Sequence, residues 1–234
     1  MSVLPSWQAQ VRVRHRVVVS YAVEPGRLVP HLPGGLRPAT HDGSAYLSVV
    51  GSTLTELRVS GLPVPGARVV PMVELRAPVR HPATGREGTF TFQAHAAGRV
   101  VAWGARIGLG LPVRAASMQP MWRERSEAVT GTYRFDWQGR EQRVRVEGHP
   151  PPVMPAAGTM GPFLLERPWR VGGSGDALVW TRTERPAAPV YRVDAHHVTV
   201  RWRAVYGEVG ALLEDRAPAH VLLAPGRPVT LVRE

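Results

Sequence analysis

Hydrophobic and polar residues alternate along much of the chain, and this period of two predicts a protein built mainly of β-strands. The clearest example is Trp7–Val23, in which every second residue from position 11 onward is apolar except His15. The positions between them hold Arg12, Arg14 and Arg16. Because successive side chains of a strand point to opposite faces, the segment predicts a half-buried strand with a basic outer face. We expect His15 to be a hydrogen-bonded core histidine rather than a metal ligand.

A second alternating region, Val69–Met118, predicts three successive strands that form one wall of a pocket. Met72, Glu74 and Arg76 share one face of the first strand. In the third strand, Val101–Leu111, one row is apolar and the opposite row consists of Ala102, Gly104, Arg106, Gly108 and Gly110. A row almost without side chains leaves room for a ligand or for another backbone. Glu74 and Arg76 are therefore the strongest polar site candidates, and a structural ion pair is the alternative interpretation.

The whole pattern predicts ten to twelve strands with two or three short helices, and 24 glycines and 23 prolines supply many turn residues. The helices are expected in Glu24–Leu36, Thr159–Arg167 and Gly207–Asp215. No repeat of roughly 20–50 residues and no second domain is visible. We therefore predict a single domain over residues 1–234, mainly β, formed by an antiparallel sheet that is curved or closed into a barrel.

The basic residues change this picture, because all 29 are arginine and the net charge is +11. They are scattered along the chain rather than clustered with aromatic residues, which favours the codon usage of a GC-rich genome over a nucleic-acid-binding patch. A chain without lysine has no side chain that can form a Schiff base and no P-loop lysine. A chain without cysteine has neither disulfides nor thiolate chemistry.

Other functional classes lack their signatures in this sequence. It contains no glycine motif that opens a nucleotide-binding helix, no GxSxG segment and no histidine spacing typical of zinc. We therefore expect neither a metal nor another cofactor. No apolar stretch approaches the ~18 residues that a membrane-spanning helix needs, and no signal peptide is visible. The expected protein is soluble and cytoplasmic, without a membrane partner.

A series of short segments, taken together and in order, resembles the DUF2071 family, also described as YqjF-like. The segments are SYAVEPGRLVPHLPGGLRP, GSAYLSVVGS, ELRAPVR with GREGTFTFQAH, LPVRAASM and FLLERPW. The agreement in order and spacing extends from about Tyr21 to Val232. That family is related in fold to acetoacetate decarboxylase, so the resemblance implies a mainly β, antiparallel, cone-like barrel around a small-molecule pocket.

The resemblance also bears on chemistry, because the decarboxylase uses a lysine that condenses with the substrate ketone. The similar stretch here is Gly110–Ala116, with Val113 at the position of that lysine and Arg114 at the position of its cationic neighbour. A guanidinium stays protonated and is too weakly nucleophilic to replace the lysine. The resemblance therefore implies the fold of the decarboxylase without its Schiff-base mechanism.

Three functions are compatible with these residues, and the first is a binding module whose barrel pocket holds a small carboxylate or keto compound. The expected ligand-binding residues are Glu74, Arg76, Arg106, Arg114, Met118 and Arg167. The second is an enzyme of lyase or hydrolase type, in which Glu74 or Glu166 is the general acid/base and an arginine stabilises an oxyanion. This hypothesis predicts a pocket carboxylate with a raised pKa. A nucleic-acid-associated protein is the third and least favoured, and a homo-oligomer is compatible with each of them.

Overall fold

Strand follows strand along most of the chain in the computed structural model, which describes residues 7–174 and 177–233. The strands are β1 (Trp7–Val23), β2 (Arg37–Pro38), β3 (Ala45–Val59), β4 (Leu62–Pro63), β5 (Val69–His81), β6 (Arg86–Ala96), β7 (Val113–Ala115), β8 (Met118–Glu124), β9 (Val129–Trp137), β10 (Arg140–Val153), β11 (Trp169–Ser174), β12 (Ala177–Glu184), β13 (Val190–Thr199) and β14 (His220–Arg233). The α-helices are α1 (Pro25–Leu28), α2 (Arg99–Leu109), α3 (Met160–Leu165) and α4 (Trp202–Ala211), and a 3₁₀ turn covers Val29–His31. Within the described ranges, no helix is long and apolar enough to cross a membrane.

Seven strands close into a barrel in the order β1-β3-β5-β6-β11-β12-β14, and β14 pairs with β1 to complete the ring. Neighbouring strands run antiparallel except β6 and β11, which pair in parallel. The closing pair is long, extending from Trp7 opposite Arg233 to Ser20 opposite His220. Closure leaves the ring without a free edge. The prediction of a mainly β, barrel-shaped fold is therefore confirmed.

A four-stranded antiparallel sheet, in the order β13-β10-β9-β8, packs against the outside of the barrel. It joins the barrel where Tyr191 of β13 pairs with Leu223 of β14. The largest apolar cluster fills the space between this second sheet and β1, β3 and β5 of the barrel. Tyr133 and Phe135 of β9 are almost completely buried in it. This core covers one outer face of the barrel, so the barrel interior is lined by other residues.

Strand β5 shows how side chains are divided between the two sides of the barrel wall. Val73 and Leu75 belong to the core between the sheets. Met72, Glu74 and Arg76 line the inside of the barrel, on the shared face that the sequence predicts. Regular alternation along one strand thus places a carboxylate and a guanidinium inside a closed barrel.

Strand β1 departs from its predicted alternation at His15, whose φ of +56° lies in the left-handed region. The pairing of β1 with β3 shifts register between Arg14 and Val17, as in a β-bulge. Val13, before the bulge, faces into the barrel, whereas Val17, after it, faces the core between the sheets. The extra residue exchanges the two faces of the strand. Arg16 is consequently turned into the barrel, and the prediction that it lies on the outer face with Arg14 is wrong.

The bulge is held from the second sheet by Tyr133. Its hydroxyl donates to the His15 carbonyl oxygen at 2.6 Å and lies 2.9 Å from Oγ1 of Thr53. The ring lies so close to β3 that a Cβ atom on Gly51 would be 2.2 Å from a ring carbon. The His15 ring stacks on Trp122 of β8, with ring centroids 4.5 Å apart. His15 is therefore a partly exposed, stacked residue at a bulge, not the core histidine that the pattern predicts.

The segment Val101–Leu111 forms helix α2 and the turn after it, so the prediction of a third strand here is wrong. Its apolar residues fit a helical period as well as a period of two. One side of the helix carries the buried or partly buried residues Val101, Ala102, Ala105 and Leu109. Gly110, at φ +62°, ends the helix in the left-handed conformation that glycine adopts most easily. With α2, the described residues contain four α-helices, where the sequence predicts two or three short helices.

Other element boundaries also differ from the prediction. Apolar residues at every second position, Val198, Val200, Trp202 and Ala204, predict a strand over His196–Val205, but helix α4 begins inside this segment, at Trp202. The pair Pro225-Gly226 is a turn signal and predicts two separate strands, Val221–Ala224 and Val229–Val232, but strand β14 runs on through it. Gly226 has a φ of +107°, and a Cβ atom there would lie 2.1 Å from the Val13 carbonyl oxygen. Glycine thus lets β14 bend while staying paired with β1.

Removing the Tyr133 hydroxyl tests whether the bulge depends on the second sheet. We expect Tyr133→Phe to lower the free energy of unfolding by about 1–3 kcal/mol, because the His15 carbonyl loses its side-chain donor. Chemical denaturation followed by tryptophan fluorescence measures this change. Tyr46→Phe is the matched control, since Tyr46 is also buried and packs edge-on against Phe163 through its ring. If both variants lose the same free energy of unfolding, the hydrogen bond from Tyr133 to the bulge does not specifically stabilise the protein.

Candidate functional site

The barrel encloses a cavity of about 400 Å³, within the usual range of small-molecule pockets of about 300–1,000 Å³. All seven barrel strands contribute to its lining, together with α2 at one end and α3 at the other. The end near α2 is apolar, and the end near α3 contains charged side chains from β1, β5, β11 and the segment after β12. This charged end is the candidate site.

Glu74 is the acidic centre of the charged end, and its side chain is 1% exposed. Arg76 donates from Nη1 to Glu74 Oε1 at 3.2 Å, and Arg170 donates from Nη2 to Oε2. The Thr91 hydroxyl also donates to Oε2, at 3.2 Å. Burial by itself would raise the pKa of Glu74, but the neighbouring guanidinium charges, Arg170 first, and the Thr91 hydrogen bond outweigh burial and lower this pKa. Glu74 is therefore an ionised structural carboxylate, without the raised pKa that the enzyme hypothesis predicts.

Arg16 lies in the same end of the cavity, and none of the described carboxylates is within salt-bridge distance of it. Its buried Nε likewise has no hydrogen-bond partner among the described residues. Burial, followed by the charges of three neighbouring arginines, lowers the pKa of Arg16 well below its usual value. Because a guanidinium stays protonated in proteins, this shift means that a positive charge is held in an unfavourable place. An anion in the cavity would reduce that unfavourable energy.

A second carboxylate, Glu166, lies behind the cavity wall and holds two further arginines. Arg227 Nη1 donates to both Glu166 oxygens, at 2.6 and 2.8 Å, and Arg185 Nε lies 3.7 Å from Oε2. Burial, followed by the charge of Arg227, lowers the pKa of Arg185 to about 9. Glu166 itself is not part of the cavity lining, so it anchors these arginines from behind.

The charged end holds more positive than negative charge. Five guanidinium groups lie around the two carboxylates of Glu74 and Glu166, which leaves an excess of three positive charges. The five, called the arginine cluster below, are Arg16, Arg76, Arg170, Arg185 and Arg227. The Nε atoms of Arg16, Arg170 and Arg185 are buried and lack a hydrogen-bond partner in the part of the chain that the structure describes. All three of these arginines line the cavity.

Helix α3 closes this end of the barrel and supplies acceptors to the cluster. Arg76 Nη2 donates to the Leu164 carbonyl oxygen at 3.3 Å, and Arg227 Nη2 donates to that of Leu165 at 2.8 Å. Carbonyl groups at the end of a helix carry partial negative charge. The end of α3 therefore offsets part of the positive charge without occupying the cavity as a carboxylate would.

The structure brings together only some of the residues that the sequence predicts as ligand-binding. Glu74, Arg76 and Arg167 line the cavity, whereas Arg106 and Arg114 are exposed and Met118 packs against the core between the sheets. Arg106 lies outside the cavity because its segment is a helix that turns this position toward solvent. The Arg114 guanidinium lies over the Trp137 ring, 5.2 Å from its centroid.

Two further predicted positions lie at the cavity wall. The Arg167 guanidinium pairs with Glu87 and lies 4.3 Å from the centroid of the Phe163 ring. Val113 is 2% exposed and lines the cavity from β7, which pairs in parallel with β6. The position that the resemblance assigns to the decarboxylase lysine is thus a buried apolar residue at the cavity surface.

Sequence reasoning missed most of the arginine cluster. The unpredicted members are Arg16, Arg170, Arg185 and Arg227. None of them stands out in a chain with 29 arginines, because the pairing of strands distant in sequence brings them together. For Arg16 a signal exists, since three consecutive valines, Val17–Val19, follow it and break the strict alternation. Apolar residues at both odd and even positions indicate a strand that is buried on both faces.

The described residues contain no group of three or more His, Asp or Glu side chains arranged to hold a metal ion. The wall of the cavity contains several guanidinium groups in a mostly apolar enclosure. Guanidinium groups bind carboxylates through short, charge-assisted hydrogen bonds, often two at a time. The arrangement is therefore chemically suited to holding a small anion.

The same fold occurs in solved structures. An acetoacetate decarboxylase-like enzyme from Sphingomonas wittichii RW1 has a TM-score of 0.63 at 15% identity, over 97% of this chain and 90% of that chain. The enduracididine biosynthesis enzyme MppR, in complex with pyruvate, has a TM-score of 0.61 at 15% identity, over 100% and 90%. Acetoacetate decarboxylase from Legionella pneumophila has a TM-score of 0.62 at 13% identity, over 96% and 84%. At these identities the likeness shows the fold, and the expected acetoacetate decarboxylase-like architecture is confirmed.

The sequence itself has a relative in the uncharacterised protein YqjF of Bacillus subtilis (strain 168), with 37% identity over 89 residues. The matched part is 38% of this chain and covers 36% of YqjF, about a third of that relative's length. A family model, DUF2071, described as an uncharacterised conserved protein, matches residues 10–228. That match extends over nearly all of the barrel and the second sheet, and the chain belongs to the DUF2071 family.

Proposed function

We propose that this protein binds a small organic acid inside its barrel, with the carboxylate held by the arginine cluster. The observation that carries the proposal is the excess of positive charge around the cavity, whose wall includes Arg16 with none of the described carboxylates within salt-bridge distance of it. Burying a charge without an opposite charge beside it is costly. A carboxylate in the cavity would accept from guanidinium groups of the wall and would offset part of the excess charge.

A solved structure of the same fold supports this class of ligand. MppR has been solved in complex with pyruvate, a small keto acid, and its chain superimposes on the whole of this one. The fold is therefore compatible with an enclosed site for a small carboxylate. In this chain the support comes from the cavity itself, because function depends on the site rather than on the fold.

The proposal is binding without Schiff-base decarboxylation. The sequence contains no lysine, and Val113 occupies the position that the resemblance assigns to the reactive amine. Glu74 is a poor general base, because its pKa is lowered and both of its oxygens already accept hydrogen bonds. We infer that Glu74 orients Arg76 and Arg170 toward the ligand.

Arg16→Met tests the carboxylate site, because methionine keeps much of the length of the side chain and removes its charge. In wild-type protein, a carboxylate at about a hundred times its dissociation constant should raise Tm by roughly 5–10 °C. In Arg16→Met we expect this response to be lost. We also expect the ligand-free variant to be more stable by about 1–3 kcal/mol, because an uncompensated buried charge is gone. Thermal denaturation with a panel of keto acids and other carboxylates measures both effects.

The matched control is Arg14→Met, which removes an exposed arginine two residues earlier on the same strand. Arg14→Met should keep the full response to carboxylates, and a neutral analogue such as pyruvamide should leave the wild-type Tm unchanged. A carboxylate response that survives in Arg16→Met, or that is absent for every acid in wild-type protein, would contradict the proposal.

Glu74→Gln tests the role of the buried carboxylate through pH. At pH 7 the variant should be about 3–5 kcal/mol less stable to unfolding, because buried guanidinium groups lose their partner. The pKa of Glu74 in the folded protein lies below its ordinary value of 4.5, so its stabilising effect is present above pH 4.5 and is lost as pH falls through the folded pKa. The stability difference between wild type and variant should therefore shrink in strong acid.

Urea denaturation of both proteins between pH 7 and pH 3 measures this difference. Glu141→Gln is the control, since Glu141 also pairs with the arginine two residues later, Arg143, but is half exposed. We expect Glu141→Gln to lower the free energy of unfolding by less than about 1 kcal/mol at every pH. A Glu74→Gln variant as stable as Glu141→Gln at pH 7 would show that Glu74 does not organise the cluster.

A further inference from the structure

The cavity wall is divided along the barrel axis into an apolar part and a charged part. At the α2 end, Ala9 pairs with Leu231 on one side and Val59 on the other, and Val11 pairs with Val229. These side chains form an apolar ring at the cavity surface. Farther along the barrel the lining becomes charged, with Arg16 on β1 and Glu74 on β5. The charged side chains are therefore confined to the end of the cavity near α3, the charged end.

The apolar part continues to the surface of the protein through α2. Val100, Trp103 and Ile107 line the cavity and yet are 55%, 66% and 55% exposed. Their spacing of three and four residues places them on one face of the helix. Exposed apolar groups of this size are commonly part of a binding surface. Here they form the mouth of the cavity, beside the end of β1 at Trp7.

We propose that the natural ligand is an amphiphilic carboxylic acid, with its head at the arginine cluster and a linear apolar tail that runs through the apolar ring to the mouth at α2. This deepens the proposed function and rests on it. A small keto acid would fill only the charged end of the cavity. It would leave the apolar ring and the exposed apolar face of α2 without an occupant.

The dimensions of the barrel set the length of this tail. Seven residues separate Ala9 from Arg16 on β1, which is roughly 23 Å along a strand and roughly 17 Å along the axis of a barrel with strands tilted by about 40°. With C–C bonds of about 1.5 Å, an extended chain advances about 1.25 Å per methylene. About 3 Å of this distance is taken by the hydrogen bond between the guanidinium and the carboxylate, which leaves roughly 14 Å for the tail. A tail of about ten to twelve carbons therefore extends from the arginine cluster to the mouth.

A homologous series of unbranched acids tests the tail. Isothermal titration of wild-type protein with butanoate, hexanoate, octanoate, decanoate and dodecanoate, below the onset of micelle formation, gives the dissociation constants. We expect affinity to rise about fourfold per methylene, the factor that corresponds to about 0.8 kcal/mol, and to level off near dodecanoate. Dodecanol and dodecylamine, which lack the carboxylate, should bind at least tenfold more weakly than dodecanoate. Arg16→Met should reduce the affinity for dodecanoate to that of dodecanol.

Gly104→Leu is the variant that obstructs the mouth. Gly104 lines the cavity from α2, and a Cβ atom there would meet no atom within 4 Å, so a larger side chain enters open space. Leucine is also a better helix former than glycine, which protects the fold. We expect Gly104→Leu to weaken dodecanoate binding at least tenfold and to leave butanoate binding unchanged. The control, Gly104→Ala, should bind both acids as wild type does.

The outcomes separate this inference from the proposed function. If butanoate or pyruvate binds as tightly as dodecanoate, the tail inference is overturned while the carboxylate site stands. If dodecanoate binds Arg16→Met as tightly as it binds wild-type protein, and dodecanol binds as tightly as dodecanoate, the long chains adsorb to the exposed residues of α2, and the inference is also overturned. If no acid of any length binds, the proposed function and this inference both fail.

Discussion

The candidate site of this protein depends on one physical constraint, which is the uncompensated positive charge inside a closed β-barrel. Moving a guanidinium from water into an enclosed site is costly unless acceptors and opposite charges surround it. Here Glu74 and Glu166 each hold two arginines, and the carbonyl groups at the end of α3 accept from Arg76 and Arg227. These contacts satisfy part of the cluster. The remaining positive charge, on arginines that line the cavity, defines the site.

The bulge in β1 links this site to the rest of the fold. Strand β1 lines the apolar part of the cavity through Val11 and Val13, supplies Arg16 to the charged end and then contributes Val17 and Val19 to the core between the sheets. A strand with unbroken alternation would place Arg16 on the side of that core. The exchange of faces occurs at His15, whose carbonyl is bound by Tyr133 of the second sheet. The second sheet therefore helps to position an arginine in a cavity that it does not line.

The comparison with enzymes of the same fold shows how one architecture can hold different chemistry. The barrel superimposes on acetoacetate decarboxylase-like structures over nearly its whole length, at 13–15% identity. Where the resemblance places a reactive lysine, this chain has the buried Val113. A guanidinium cannot form a Schiff base, but it binds a carboxylate with fixed geometry. The same enclosed architecture here has a valine where the resemblance places the amine, and its guanidinium groups come from other strands.

The sequence by itself determined the class of fold and one part of the site. Period-two alternation and many turn residues predicted a mainly β protein, and the joint order of short segments predicted the family. Both are confirmed. Glu74 and Arg76 were found because they are two residues apart on a regular strand, where local spacing alone puts them on one face.

Tertiary structure decided the rest, because the deciding contacts join residues far apart in the chain. The bulge at His15 is bound by Tyr133, 118 residues away, so the local pattern at Val17–Val19 can signal a strand buried on both faces but cannot fix the direction in which Arg16 points. The apolar residues of Val101–Leu111 fit both a strand and a helix, and packing against the barrel selected the helix. Arg170, Arg185 and Arg227 meet Arg16 only because β11, β12, β14 and β1 are successive strands of one closed ring.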